Sequence, residues 1–297
     1  MSRQEQAQRM RTAKGFIAAL DQSGGSTPKA LGLYGIGPEA YADEAEMFRL
    51  IHEMRARIAT APAFDGSKVI GAILFERTMD DTIGGKPSAR FLWEERGVVP
   101  FLKVDQGLQD ANDGVKLMKP IAGLDALPKR ANDAGIFGTK MRSVIDAASR
   151  PGIAANVTQQ FDIAGQILDR GLMPIIEPEV TISIADKAAA EDILREEILR
   201  HLDALPAGRQ VILKLTLPST DNHYKPLIDH PKVMRVVALS GGYSRDQANA
   251  LLARNTGMIA SFSRALTEGL SVRQDDATFN RTIATTIQSI CEASNAG

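Results

Sequence analysis

Cysteine is almost missing from this chain: Cys291 is the only one in 297 residues. No intrachain disulfide can form, and a reducing cytoplasm is the expected location. The thiol lies in an apolar helical stretch far in sequence from the charged residues considered below, and it reads as a packing group. Net charge is nearly missing too. The 35 Lys and Arg against 36 Asp and Glu leave a formal charge of -1, so no bulk field draws the chain to nucleic acid or anionic lipid. No apolar run reaches the roughly 18 residues of a membrane helix. Residues 1–14 are polar and lack the apolar centre of a secretory signal. Histidine is scarce: His52, His201, His223 and His230 show no close metal-ligand spacing, so neither a metal nor another cofactor is expected. His52 and His201 fall in helical stretches and read as surface or packing residues, and Met10, Met47 and Met54 read as helical filler. No low-complexity tract and no clear linker interrupts the chain.

What is present is an ordinary globular composition, 44% apolar and 24% charged. The most informative stretch is Val211-Ile212-Leu213-Lys214-Leu215-Thr216-Leu217, bounded by Gly208 and Pro218. A short branched apolar run of this kind reads as a buried strand. Its one cation must find a partner or lose its proton, because burying an ammonium is costly. A lysine of lowered pKa is an amine nucleophile that can form a Schiff base. The plainer reading is an edge strand blunted by a lysine.

Comparable runs recur at 16–21, 69–75, 100–105, 137–144, 173–180, 233–239 and 258–262. The prolines at 174 and 178 suit a strand end better than its centre. Helical spacing separates most of these runs. It is seen at 40–58, where Phe48, Ile51, Met54 and Ile58 share a face, and at 124–132, 156–170, 188–205 and 245–254. Residues 22–28 read as a loop, 2–14 as a polar helical arm and 278–293 as a final helix. Eight strand candidates alternating with helices predict an α/β fold, a (β/α)8 TIM barrel in a single domain over 1–297. A doubly wound sheet is the alternative, but no Gly-x-Gly-x-x-Gly follows the first strand.

The charged residues sharpen this reading. Asp21, Lys103, Asp105, Lys140, Arg142, Glu177, Glu179 and Lys214 all lie in or at the ends of these runs. Alternation puts Lys103 with Asp105, Lys140 with Arg142 and Glu177 with Glu179, each pair on one strand face. Chemistry in a parallel barrel sits at the carboxyl-terminal rim. One charge there is unremarkable; five strands each bringing one exceed what solvation explains. Lys140 beside Lys214 is expected to lower that amine's pKa by repulsion. Glu177 can carry protons, and Asp21 can act as base or hold an ammonium. Ser240-Gly241-Gly242 after the seventh run, and Ser261, Ser263 and Arg264 after the eighth, occupy the usual phosphate grip of such barrels.

At these residues the sequence resembles a class I fructose-bisphosphate aldolase of the short bacterial type, over roughly 13–266. Ile17-Ala18-Ala19-Leu20-Asp21 with Ser23-Gly24-Gly25-Ser26 resembles that family's first strand and catalytic aspartate. Leu102-Lys103-Val104-Asp105-Gln106-Gly107 and Thr139-Lys140-Met141-Arg142 resemble the third and fourth strands. Pro174-Ile175-Ile176-Glu177-Pro178-Glu179 and Ile212-Leu213-Lys214 resemble the fifth and sixth. Leu239-Ser240-Gly241-Gly242 and Ser261-Phe262-Ser263-Arg264-Ala265-Leu266 resemble the segments that hold a phosphate. The resemblance implies metal-free cleavage of fructose 1,6-bisphosphate through a Schiff base on Lys214, with Glu177, Asp21, Lys140 and Glu179 as the other catalytic groups. It implies substrate contacts from Lys103, Arg142, Ser240, Gly241, Gly242, Ser261, Ser263, Arg264, Ser23, Ser26 and Lys29, a sugar bisphosphate as the partner molecule, and a homo-oligomer. It also marks departures from the animal enzymes: Gln22 for an acid, Ala30 for an arginine, Ser263 for a glycine, and a chain ending in Ala296-Gly297 without a terminal tyrosine. Other readings are a different Schiff-base aldolase or transaldolase, and a non-catalytic sugar-phosphate scaffold. A metal-dependent aldolase lacks the histidines it would need.

Overall fold

The computed structural model describes residues 2–297. Eight strands lie side by side in chain order: β1 (Phe16–Leu20), β2 (Val69–Leu74), β3 (Val99–Lys103), β4 (Gly138–Ile145), β5 (Met173–Val180), β6 (Val211–Thr216), β7 (Val233–Leu239) and β8 (Met258–Ala260). Every neighbouring pair along this order is parallel. The sheet rolls back on itself, and Ala19 N–H donates to Phe262 O at 3.1 Å across the closing edge. The expected TIM barrel is therefore present.

The strands form because each is a short apolar run buried on both faces, as parallel strands under helices must be. Alternation sorts their side chains into two cores. Phe16, Ala18 and Leu20 of β1 and Leu213 and Leu215 of β6 face outward, towards the helices. Ile17, Ala19, Val99, Phe101, Ile175, Ile212, Val237 and Ile259 face inward and fill the barrel. Phe101 lies at this centre, and Gly138 makes room for it: a Cβ at 138 would fall 2.8 Å from the Phe101 ring.

The helices used below are α1 (Arg3–Thr12), α2 (Ser26–Tyr34), α3 (Glu44–Thr60), α4 (Arg150–Asp169), α5 (Lys187–Ala204), α6 (Arg245–Leu252) and α7 (Asp276–Ala296). Among the described residues no helix is long and apolar enough to cross a membrane. The polar arm is a true element: Ser2 and Glu5 make a capping box at the start of α1. Met10, fully buried, joins the barrel core from below. Arg235 of β7 donates to Met10 O at 3.0 Å and Ala13 O at 3.1 Å, satisfying carbonyls that the helix end leaves free. Met10→Ala is expected to destabilise the fold by about 2–5 kcal/mol, measured as the urea midpoint; a shift under about 1 kcal/mol would mean the arm does not seal the barrel.

Two expectations need correction. Pro174 is the second residue of β5, but Pro178 sits inside the strand. The ladder between β5 and β6 is confined to Ile175 and Ile176, so Pro174 and Pro178 lie outside it and their missing N–H groups cost it no bond. Residues 26–28, read as loop, begin α2. Pro28 is tolerated there because first-turn N–H groups have no intrahelical acceptor.

Candidate active site

The inward face of five strands continues upward as charge. Two residues beyond inward-facing Ile212 comes Lys214, and beyond Ile175 come Glu177 and Glu179. Phe101 leads to Lys103, Ala19 to Asp21, and Gly138 to Lys140 and Arg142, by the same period of two. All these groups line one cavity of about 780 Å³ at the carboxyl-terminal end of the barrel. That volume is in the usual range for a small-molecule site.

The centre of the cavity is a buried chain of charges. Asp21 Oδ2 lies 2.6 Å from Lys140 Nζ, Lys140 Nζ lies 2.9 Å from Glu177 Oε2, and Glu177 Oε1 lies 3.1 Å from Lys214 Nζ. Lys140, Glu177 and Lys214 are 3%, 3% and 4% exposed, so these pairs are shielded from water and weakly screened. The repulsive Lys140–Lys214 contact expected from the sequence is replaced by a bridge, with Glu177 between the two amines.

Burial raises the Asp21 carboxyl, but Lys140 and Lys214 outweigh it and hold its pKa at about 2. Burial likewise raises Glu177, and the same two lysines bring it below the ordinary glutamate value. Burial lowers the Lys140 ammonium, yet Asp21 and Glu177 leave it above the usual lysine value. At neutral pH both acids are therefore ionised and Lys140 is charged. Glu177 Oε2 makes an ion pair but no directed hydrogen bond, which leaves a lone pair for a proton.

The Asp21 shift has a consequence for stability. Its folded pKa is below the unfolded value near 3.8, so its contribution is fully present above about pH 4 and is lost as pH falls towards 2. Asp21→Asn is expected to remove on the order of 2 kcal/mol at pH 7 and to flatten the acid limb of the stability curve. Denaturant titrations of both proteins from pH 7 down to pH 3 measure this; parallel acid limbs would contradict it.

Around this chain the other groups are arranged for anions. Lys103 Nζ donates to Asp105 Oδ1 at 2.7 Å and Asp105 O at 2.6 Å, leaving one of its three donors for the cavity. Asp105, which the sequence reading left out of the site, also accepts from Arg142 N–H at 3.1 Å. Arg142 Nε donates to Glu179 Oε2 at 2.5 Å, and although burial lowers its pKa, this acid holds it above the ordinary arginine value. Glu179 thus anchors Arg142, and nothing links it directly to Lys214.

At the opposite wall, Ser240 and Gly241 follow β7 and Ser261, Ser263 and Arg264 follow β8, all on the cavity. Gly241 has φ of +62°, and a Cβ there would fall 2.6 Å from Ile182 Cγ2, so only glycine fits. Gly242 lies just outside the lining, near the Arg264 guanidinium. Ser261 Oγ is buried with no hydrogen-bond partner, and Arg264 pairs with no carboxylate among the described residues. Unpartnered donors at one wall are the arrangement an anionic ligand would complete. Ser23, Ser26 and Lys29 also line the cavity, but Ser26 Oγ is engaged in its own turn, accepting from Ser23 N–H and donating to Ser23 O.

The comparisons with known proteins agree with this geometry. A family model described as Fructose-bisphosphate aldolase class-I matches residues 3–217. The chain belongs to that family. It is 58% identical over 290 residues to the Fructose-bisphosphate aldolase class 1 of Porphyromonas gingivalis, covering 98% of each chain. It is 55% identical over 291 residues to the enzyme of the same name from Synechocystis, covering 98% of this chain and 97% of the other. Among solved structures, the fructose-bisphosphate aldolase of Plasmodium falciparum, in a ternary complex with TRAP and a small-molecule inhibitor, superposes with a TM-score of 0.78. It covers 99% of this chain and 95% of that one at 22% identity, which supports the fold. The chain is thus a metal-independent class 1 aldolase acting on fructose bisphosphate.

One group of that geometry escaped the sequence reading. Arg55 of α3 is 1% exposed and runs beneath the loop after β1, donating to Thr78 Oγ1 at 2.8 Å and to Gln22 O. The signal for it was a charge set between Ile51 and Ile58 on a face otherwise apolar.

Proposed function

We propose that Lys214 carries the covalent intermediate of this aldolase and that Glu177 moves the protons. The observation that carries the proposal is the buried Glu177 carboxylate within ion-pair reach of both amines. Lys214 Nζ, freed of a proton, attacks the ketone carbon of the open-chain sugar, and a carbinolamine forms. Glu177 accepts a proton from nitrogen and returns one to the hydroxyl, which leaves as water and yields an iminium. Lys140, still charged, stabilises the oxygen while its charge develops. The C3–C4 electrons then flow into the iminium as Glu177, ionised again, takes the C4 hydroxyl proton, and glyceraldehyde 3-phosphate departs. Protonation of the enamine at C3 and hydrolysis release dihydroxyacetone phosphate.

Asp21 lies 2.6 Å from Lys140 and pairs with no other amine among the described residues. Its role is to fix Lys140. Glu179 does the same for Arg142. The Ser240, Gly241, Ser261, Ser263 and Arg264 wall holds one phosphate, and Lys103, Arg142 and Lys29 supply positive charge for the rest of the substrate. The buried single cysteine fits a cytoplasmic setting, and sedimentation velocity reads out the homo-oligomer that the family suggests.

A coupled assay for both triose phosphates tests the substrate. Fructose 1,6-bisphosphate should exceed fructose 1-phosphate in kcat/KM by at least about tenfold, since two phosphates are bound, and a chelator should leave the rate unchanged. Equal rates on the two sugars would mean that only one phosphate is gripped.

A further inference from the structure

Gln22 and Ser263 meet across the edge where the barrel closes. Gln22 Nε2 donates to Ser263 Oγ at 2.8 Å. Gln22 is itself held from below, chiefly through its main-chain oxygen. Arg55, in addition to its bond to Thr78, donates to Gln22 O and lies 3.4 Å from Gln22 Oε1. The partners of Arg55 among the described residues are a hydroxyl and the oxygens of Gln22, not a carboxylate. Burial lowers its pKa to about 10, partly offset by Asp21, so it stays charged at neutral pH. A buried cation without a bonded counter-ion is costly, and here one donor goes to Thr78 and another to Gln22, whose amide bonds the Ser263 hydroxyl.

A hydroxyl has two lone pairs and one proton. The Gln22 amide takes a lone pair of Ser263 Oγ, so the Ser263 proton must point elsewhere. No protein acceptor takes it, and Ser263 lines the cavity beside Arg264 and the orphaned Ser261 hydroxyl.

We propose that Arg55, Gln22 and Ser263 form a positioning relay for the substrate phosphate: Arg55 fixes the Gln22 amide, and the amide turns the Ser263 hydroxyl proton towards the phosphate monoester. Arg55 and Gln22 are positioning residues that act through Ser263. The relay rests on the aldolase reading only for the identity of the ligand.

Inorganic phosphate, titrated calorimetrically into the full-length protein, is the first probe; steady-state kinetics on fructose 1,6-bisphosphate is the second. Gln22→Met should weaken phosphate binding about tenfold and raise KM in step, the scale of one hydrogen bond to a charged ligand. The kcat should stay within about twofold, because the interaction is made equally in ground and transition states. Ser263→Ala should weaken phosphate similarly. In the Ser263→Ala background, Gln22→Met should then cost less than about twofold, because the group it orients is gone. Arg55→Lys should reproduce part of the Gln22→Met effect in wild type and none of it in Ser263→Ala. If Arg55→Lys does not fold, the Gln22–Ser263 cycle decides alone. Equal weakening by Gln22→Met in both backgrounds would mean that Gln22 grips phosphate directly, and would overturn the relay. So would unchanged phosphate affinity, or a fall in kcat at constant KM, which would tie Gln22 to Asp21. Phosphate titration needs no Schiff base, so a failed relay leaves the aldolase reading standing, and the reverse holds too.

Discussion

Replacing Lys214 by methionine is expected to lower turnover of fructose 1,6-bisphosphate about a million-fold, the scale seen when a covalent nucleophile is deleted. Methionine has a similar length, no charge and a flexible thioether, so the space can be filled. The fold should survive: Lys214 sits at the top of β6, and the inward core below it, built on Ile212, is untouched. Glu177 keeps Lys140 as its partner at 2.9 Å and does not become an unpaired buried charge. Phosphate binding should persist, because Lys214 pairs with Glu177 and not with a group of the serine and arginine wall. The measurement is kcat with a circular dichroism spectrum and a thermal midpoint beside it. A folded variant that loses less than about a hundred-fold would move the nucleophile elsewhere, with Lys140 as the first candidate.

The second large effect is expected from Glu177→Gln. The amide keeps the shape and loses the base. The kcat should fall by about 10²–10⁴, the contribution of a positioned proton-transfer group, while KM moves by no more than about threefold. The reason lies in the site: Glu177 is committed to ion pairs with the two lysines, and its Oε2 makes no directed hydrogen bond. Lys140 remains charged through Asp21 at 2.6 Å, so the variant does not create a neutral amine that could substitute for Lys214. If KM rose and kcat held, Glu177 would be a binding group and the proton transfers would need another carboxylate. Glu179 is poorly suited to that part, since Arg142 occupies it.

Much of this site was legible before any coordinates, for a specific reason. A parallel barrel strand is buried on both faces, so a charge in it is conspicuous, and the period of two tells which charges share a face. Lys214 two residues after Ile212, and Glu177 two after Ile175, obey that rule. What the rule cannot give is contact between strands. The sequence put Lys140 near Lys214 but not Glu177 between them, because β4, β5 and β6 meet through registers fixed by the ladders: Arg142 lies opposite Glu177, and Ile175 opposite Ile212. Alternation put Lys103 and Asp105 on one face but did not give the capture of two of the lysine's donors by Asp105. That capture is made by a bend of the chain after β3, beyond the strand to which alternation applies.

Arg55 and the Gln22–Ser263 bond lie at the far limit of sequence reasoning. Arg55 comes from a helix that approaches the site from outside the barrel, and Gln22 and Ser263 are 241 residues apart. Only closure of β1 against β8 makes them neighbours. The prolines of β5 teach the complementary lesson. Proline was read by its general aversion to strand centres, whereas the local question is whether its nitrogen faces a ladder, and at 174 and 178 the β5–β6 ladder does not extend to it.

The claim on which the rest depends is that a single shielded amine bonds covalently to the ketone. Borohydride reduction of the protein in the presence of dihydroxyacetone phosphate, followed by peptide mass mapping, tests it most directly. The expected result is one stable adduct, on the peptide containing Lys214, with activity lost in proportion to labelling. An adduct on Lys140 or Lys103, or none at all, would contradict the account.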